Sequence, residues 1–115
     1  AGAAGVIVSN HGGRQLDGAI ASADALAGVV AAVAGRVPVL VDGGIRGGYD
    51  VVKAIALGAS AVLVGRPLLW GLAVGGADGA AAVITELMEE LLRTMALCGV
   101  TGVDQIDRDL LVPAG

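Results

Sequence analysis

The sequence predicts an α/β fold in which helices cover a parallel sheet. Three short apolar runs, at residues 5–9, 37–41 and 61–64, are each followed by a glycine-containing loop and then by a helical pattern. The apolar residues are continuous rather than alternating, which is typical of parallel strands buried on both faces. Three strand–helix units in succession indicate parallel strands joined by helical crossovers.

The first unit begins with a strand over residues 5–9 and ends with a helix that stops at Gly35. Ser22 is expected to cap this helix, because serine hydroxyls accept hydrogen bonds from the free backbone N–H groups of a first turn. An apolar stripe at helical spacing predicts the face that packs on the sheet: Leu26, Val29, Val30 and Val33.

The second unit places a strand over residues 37–41 and a helix from Asp50 to Leu57. Pro38 is tolerated because its missing N–H falls near the start of the strand. Gly58 ends the helix, as glycine commonly does.

The third unit has a strand over residues 61–64, then a short helix over residues 67–72 with Trp70 expected to pack beneath it. After a break at Gly75–Gly76, a long helix is predicted over residues 78–98. Apolar residues at helical spacing predict its buried face: Val83, Ile84, Leu87, Met88, Leu91, Leu92 and Met95.

Composition argues against several classes of protein. Seven basic against eleven acidic residues give a net charge of −4 with no basic run, so neither nucleic acid nor an anionic membrane is an expected partner. Glycine, proline or charged residues break every apolar run before about 18 residues, so no membrane span is expected. The single cysteine, Cys98, and the lack of a secretory pattern at the N-terminus make a cytoplasmic location the expectation.

The loop after the first strand, residues 9–17 (SNHGGRQLD), holds the best candidates for catalysis. His11 is the only histidine, and histidine ordinarily titrates near neutrality, so it is the candidate proton acceptor. Arg14 presents a planar fork of donors that matches a carboxylate or a phosphate. Gly12 and Gly13 allow a sharp turn and the close approach of a flat ligand. Histidine and arginine after a strand also serve structural roles, so the loop alone leaves both interpretations open.

The segment SNHGGRQLDG resembles the signature of the FMN-dependent α-hydroxy-acid oxidising enzymes, which include glycolate oxidase, lactate oxidase and mandelate-oxidising flavoenzymes. The resemblance extends to about Leu111, nearly the whole chain. It implies that His11 is the active-site base and that Arg14 binds the substrate carboxylate. The implied reaction is oxidation of a small 2-hydroxy acid to the 2-oxo acid, with FMN as cofactor.

The resemblance also implies a more specific fold. Residues 1–115 look like the C-terminal portion of a single barrel domain: the last three βα units of a (β/α)8 TIM barrel, followed by its C-terminal helix. Because such barrels have about 250 residues, the N-terminal half of the same barrel is expected as a partner, and a homo-oligomer is implied as well. The alternative is a three-stranded miniature, whose strand edges would be left uncovered.

A phosphate site is predicted after the second and third strands, because in such barrels these loops and a short extra helix commonly bind phosphate. Its parts are backbone N–H groups, a charged fork and a helix start: Gly43, Gly44, Arg46, Gly65 and Arg66. The surrounding pattern is also similar to inosine-monophosphate dehydrogenase and to the flavin-dependent isopentenyl-diphosphate isomerase. A phosphate-binding barrel enzyme of that type is therefore the alternative function.

The family pattern implies further cofactor contacts. Ser9 would lie near the flavin ring, and Asp42 would bind the ribityl hydroxyls. The residues of the predicted phosphate site would surround the phosphate of FMN. Gly47 departs from the pattern, since many members have a second arginine there. No metal site is predicted. The particular 2-hydroxy acid, and the choice among oxidase, monooxygenase and dehydrogenase, stay open from the sequence.

Overall fold

The computed structural model describes residues 2–113 and contains a parallel sheet with helices packed on one of its faces. The strands and helices, in chain order, are β1 Val6–Val8, α1 Ser22–Val33, β2 Val39–Val41, α2 Gly48–Ala56, β3 Ala61–Val62 and α3 Arg66–Leu97. Three 3-10 turns lie at His11–Gly13, Val103–Gln105 and Arg108–Leu110. The α/β fold and the predicted alternation of strands and helices are thus confirmed.

The order of the strands in the sheet, β1-β2-β3, follows their order in the chain. Ile7 pairs with Leu40 and Leu40 with Ala61, all in parallel. Since the strands are parallel, their carboxyl ends lie at one edge of the sheet. The loops that follow the three strands therefore converge at that edge, which is where ligands bind in open α/β sheets.

One face of the sheet is covered and supplies the main core. This core contains side chains from the strands, from α1 and α2 and from the loop before β3: Val8, Leu26, Val39, Val41, Ala54 and Ala59. On the opposite face, Ile7 is 55% exposed and Leu63 is 38% exposed. The prediction that the first strand is buried on both faces is wrong, because within residues 2–113 no helix layer packs against Ile7.

The start of α1 differs from the sequence prediction. Ala21 occupies the N-cap position, and no side chain caps the helix. Ser22 is the first helical residue, and its hydroxyl accepts the N–H of Asn10 at 3.1 Å. Ser22 therefore does not act as the predicted helix cap, because its hydroxyl binds the loop that precedes the helix.

The start of α2 lies directly against the backbone of α3. Gly48 donates its N–H to Glu90 Oε2 at 2.8 Å. A methyl group added at Gly48 would overlap the main chain of Leu91, so glycine is required for the two helices to approach this closely. The contact ties the loop before α2 to a residue 42 positions further along the chain.

The predicted break in the last helical region is confirmed. Gly75 (φ −137°, ψ 18°) and Gly76 (φ 61°, ψ −145°) interrupt α3. The predicted buried face of the second segment is only partly right. Leu91 and Met95 pack in a core with α2 and the C-terminal turns. Three predicted members are instead at least half exposed, because nothing in the described part of the chain covers them: Ile84, Met88 and Leu92.

Helix α3 is the one helix of residues 2–113 that is long and apolar enough to be considered a membrane span, with a mean hydropathy of 1.5 over its most apolar stretch. The glycine break divides it, and its first segment, residues 66–74, is much shorter than the roughly 20 residues that a span requires. The second segment carries several charged side chains: Asp78, Glu86, Glu89, Glu90 and Arg93. These features favour a helix with one apolar face over a membrane span.

Candidate functional site

The three loops at the carboxyl edge of the sheet enclose a cleft of about 380 Å³. Eight of the sequence-predicted site residues line it: His11, Arg14, Asp42, Gly43, Gly44, Arg46, Gly65 and Arg66. Ser9 is not among the lining residues; its hydroxyl accepts the N–H of His11 at 3.1 Å. The fold thus brings the candidate base, the candidate carboxylate fork and the candidate phosphate groups into one site.

The first loop holds His11 in an unusual backbone conformation. His11 has φ 54°, and Gly12 and Gly13 follow with φ 65° and 73°. Positive φ is uncommon outside glycine and persists where surrounding contacts enforce it. One such contact is the side chain of Asn10, whose Oδ1 accepts the N–H of Gly12 at 3.1 Å. The orientation of His11 is therefore fixed by its neighbours rather than by its own preference.

The second loop is shaped by two consecutive glycines and by an aspartate of the following helix. Gly43 and Gly44 have φ 89° and 82°, a region that glycine enters without steric cost. Asp50 Oδ2 accepts the N–H groups of Arg46 at 3.0 Å and of Gly47 at 3.2 Å. Asp50 therefore fixes the backbone that carries Arg46, in agreement with its predicted place at the start of a helix.

Asp42 contributes the one acidic side chain that lines the cleft. Its Oδ1 is buried and has no hydrogen-bond partner among residues 2–113. A buried acceptor without a donor is costly, so this oxygen is suited to a ligand that brings a hydroxyl. The sugar-alcohol part of FMN carries such hydroxyls, and the oxygen fits it.

The third loop supplies Arg66, the first residue of α3. A methyl group added at Gly12 would lie 3.5 Å from Arg66 Nη2, so the guanidinium reaches the first loop. Gly65, at the N-cap position, offers no side-chain cap to the helix. A positively charged side chain and an uncapped helix start together favour a bound anion.

The cleft is locally basic although the chain carries a net charge of −4. Three of the seven basic side chains, Arg14, Arg46 and Arg66, line it together with His11. Among residues 2–113, Asp42 is the one carboxylate that lines the cleft with them. This distribution favours the binding of anionic groups, such as a phosphate or a carboxylate.

Sequence reasoning missed the apolar wall of the cleft, which is formed by Ile45, Leu63, Val64, Pro67, Leu69 and Trp70. Trp70 does not pack beneath the short helix as predicted; it is 53% exposed and borders the cleft. The sequence predicts that Trp70 lies in the short helix, but it does not predict the direction of the side chain. The wall provides a surface against which a flat ring can lie.

Comparison with known proteins identifies the family of this chain. The family described as FMN-dependent dehydrogenase matches residues 1–113. An L-lactate oxidase of Nostoc sp. is 60% identical over 110 residues, which cover 96% of this chain and 30% of that protein. The peroxisomal (S)-2-hydroxy-acid oxidase GLO4 of Oryza sativa subsp. japonica is 61% identical over all of this chain and 31% of its own length.

Among solved structures, mandelate oxidase with benzoyl-formic acid superposes with a TM-score of 0.90 at 56% identity, over 93% of this chain and 32% of that one. The chain belongs to the FMN-dependent dehydrogenase family, which confirms the resemblance seen in the sequence and FMN as the family's cofactor. It spans about 30% of the length of the curated relatives it matches.

Proposed function

We propose that this chain forms the substrate-facing and phosphate-facing part of an FMN-dependent enzyme that oxidises a 2-hydroxy acid to the 2-oxo acid. The observation that carries the proposal is the meeting of His11, Arg14, Arg46 and Arg66 in one cleft. The relatives described above are named as oxidases of lactate and of (S)-2-hydroxy acids. The substrates in these names share a carboxylate beside a hydroxyl-bearing carbon. Arg14 matches the carboxylate and His11, in the same loop, matches the hydroxyl-bearing carbon as a proton acceptor.

FMN, when bound, would supply the two-electron acceptor for this oxidation. Within the chain, Arg46, Arg66 and the backbone at Gly44 are the groups proposed to hold its phosphate, and Asp42 Oδ1 is the acceptor proposed for its ribityl hydroxyls. These assignments rest on the local positive charge and on the buried Asp42 oxygen that lacks a partner in residues 2–113.

In the proposed reaction the substrate loses two electrons and two protons. Arg14 binds the substrate carboxylate through its planar fork and thereby presents the hydroxyl-bearing carbon to His11. An imidazole nitrogen of His11 accepts one of the two protons, and the two electrons with the other proton would pass to FMN when it is bound.

We further propose that the three βα units are the last three of a (β/α)8 barrel and that the N-terminal part of the same protein supplies the rest. The exposed face at Ile7 and Leu63 supports this, because strands of such barrels are covered on both faces. The match to mandelate oxidase over about a third of that chain supports it as well.

The alternative, a phosphate-binding barrel of the inosine-monophosphate dehydrogenase or flavin-dependent isomerase type, would use Arg46, Arg66 and the glycines in the same way. It gives no role to His11 and Arg14 in one loop beside the phosphate groups. Identities of 60–61% to oxidases of 2-hydroxy acids also favour the main proposal.

The test compares the complete wild-type protein with the His11→Asn variant. L-lactate is added without oxygen, and the loss of flavin absorbance measures the rate at which the flavin is reduced. Asparagine is chosen because it tolerates positive φ while removing the proton acceptor. We expect the reduction rate to fall about 10²- to 10⁴-fold with FMN still bound. Equal rates for His11→Asn and wild type would refute the role of His11.

A further inference from the structure

Among residues 2–113, Ser22 is the one polar side chain that is buried, with 4% of its surface exposed. Burying a hydroxyl is unfavourable unless it forms hydrogen bonds. Ser22 does not cap its own helix, so its burial needs another explanation. Its hydroxyl accepts the N–H of Asn10 at 3.1 Å, which connects α1 to the residue that precedes His11.

Asn10 in turn organises the turn that carries the candidate base. Its Oδ1 accepts the N–H of Gly12 at 3.1 Å, and its carbonyl accepts the N–H of Gly13 at 3.0 Å. The three residues bridged by these bonds, His11–Gly13, all have positive φ. Positive φ is sterically unfavourable for His11, so contacts with residues outside the turn are needed to stabilise this conformation. The Ser22 hydroxyl provides such a contact and is an anchor for the turn, since it lies in a different element.

The side chains of Ser22 and Asn10 also lie close to the second loop, at Gly43. A methyl group added at Gly43 would lie 3.1 Å from Ser22 Oγ and 3.2 Å from Asn10 Oδ1. These two side chains therefore lie against Gly43, on the side of the glycine loop that faces the turn bearing His11. A change at Ser22 alters both the anchor and the spacing.

We propose that Ser22 is a positioning residue: through Asn10 it fixes the backbone of His11 and sets the distance between the loop of the base and the loop of Gly43. Ser22 does not line the cleft that contains His11 and Arg14. The inference rests on the proposed function for its kinetic effect, while its structural effect on the loop is independent of that function.

The experiment compares Ser22→Ala, Ser22→Cys and Ser22→Thr in the complete FMN-loaded protein. Alanine removes the acceptor, cysteine nearly keeps the volume but accepts hydrogen bonds weakly, and threonine keeps the hydroxyl. Ser60→Ala is the matched control, because Ser60 is exposed and lies in the loop before β3. The readouts are the rate of anaerobic flavin reduction by L-lactate, the dissociation constant for FMN, and deuterium uptake by the backbone of residues 10–14.

We expect the alanine and cysteine variants to reduce flavin at least tenfold more slowly, and to lose less FMN affinity than rate, because Arg46 and Arg66 are unchanged. Threonine should return the rate to within threefold, and the control should leave it unchanged. Deuterium uptake at residues 10–14 should become at least tenfold faster in the alanine and cysteine variants only. Unchanged rates together with unchanged uptake would overturn the inference, and so would a loss that threonine fails to rescue.

Failure of the proposed function has a different signature. In that case wild-type protein itself would show no bleaching by 2-hydroxy acids. Deuterium uptake then decides the inference alone: faster exchange in Ser22→Ala and Ser22→Cys supports the anchor, and exchange equal to that of Ser60→Ala overturns it.

Discussion

Arg14 and His11 line the same cleft, and the proposed function assigns carboxylate recognition to the first and proton transfer to the second. The Arg14 guanidinium can bind both carboxylate oxygens at once, which an ammonium group cannot do. Under the proposed function, Arg14 orients the substrate and His11 accepts the proton, so each role can be tested by altering one residue.

We predict that Arg14→Lys in the complete protein raises KM for a 2-hydroxy acid by about 10- to 100-fold, the loss expected for a charge-assisted hydrogen bond. The fall in kcat should be smaller. Steady-state kinetics measure both constants. Arg36→Lys is the control, because Arg36 binds only the carbonyls at the end of α1. An unchanged KM with a reduced kcat would contradict the prediction.

At the scale of residues, the sequence was sufficient to select side chains that the fold brings into one cleft. His11, Arg14, Arg46 and Arg66 were predicted because few side chains can accept a proton or bind an anion. The role of Ser22 was mispredicted, since a serine before a helix usually caps it. Only the fold brings Asn10 to the hydroxyl across 12 positions of the chain.

At the scale of elements, the contact between α2 and α3 controls the loop that carries Arg46. Glu90 accepts the N–H of Gly48 at the first turn of α2, and Asp50 accepts two N–H groups just before it. Two carboxylates thus satisfy backbone donors that the helix itself leaves free. Asp50 of α2 therefore fixes the end of the loop that carries Arg46. Glu90 of α3 fixes the first residue of α2, which follows that loop.

We predict that Glu90→Ala in the complete protein lowers the free energy of unfolding by about 1–3 kcal/mol and weakens FMN binding, because a partly buried charge-assisted hydrogen bond is lost. Glu90→Gln should lose less, since an amide oxygen still accepts. Urea unfolding and FMN titration measure the two effects. Glu89→Ala, one position away and exposed, should change stability by at most about 0.5 kcal/mol. An equally small change in stability for Glu90→Ala would show that the hydrogen bond between Glu90 and Gly48 does not stabilise the protein.

Strands and helices were predictable because apolar periodicity and glycine breaks are local signals. Helix α2 starts at Gly48, two residues before the predicted start at Asp50, because Gly47 takes the N-cap position and Asp50 completes the first turn. The exposed side chains of α3, such as Met88, were assigned to a buried face. Periodicity identifies which residues are apolar, but the elements that cover them depend on the rest of the protein.

At the scale of the whole molecule, apolar surface is left open on two sides. Ile7 and Leu63 are exposed on the sheet, and Ile84, Met88 and Leu92 are exposed along α3. Each Å² of apolar surface removed from water contributes about 25 cal/mol. Under the barrel proposal, the N-terminal part of the protein covers these surfaces.

We predict that residues 1–115 expressed alone associate into species larger than a monomer and bind FMN far more weakly than the complete protein, because exposed apolar faces and strand edges favour self-association. Size-exclusion chromatography with light scattering and an FMN titration test this. Co-expression with the N-terminal part should restore a single complex that binds FMN. A soluble monomer with full FMN affinity would show that the missing part is dispensable.

The side-by-side order of β1, β2 and β3 has a consequence for synthesis on the ribosome. Each strand leaves the ribosome after the neighbour with which it pairs, so no finished pair has to reopen to admit a later strand. Helix α3 emerges last and brings Glu90 to the start of α2. In the nascent chain, Glu90 therefore becomes available to the start of α2 only after the residues of all three strands and of the cleft have been synthesised.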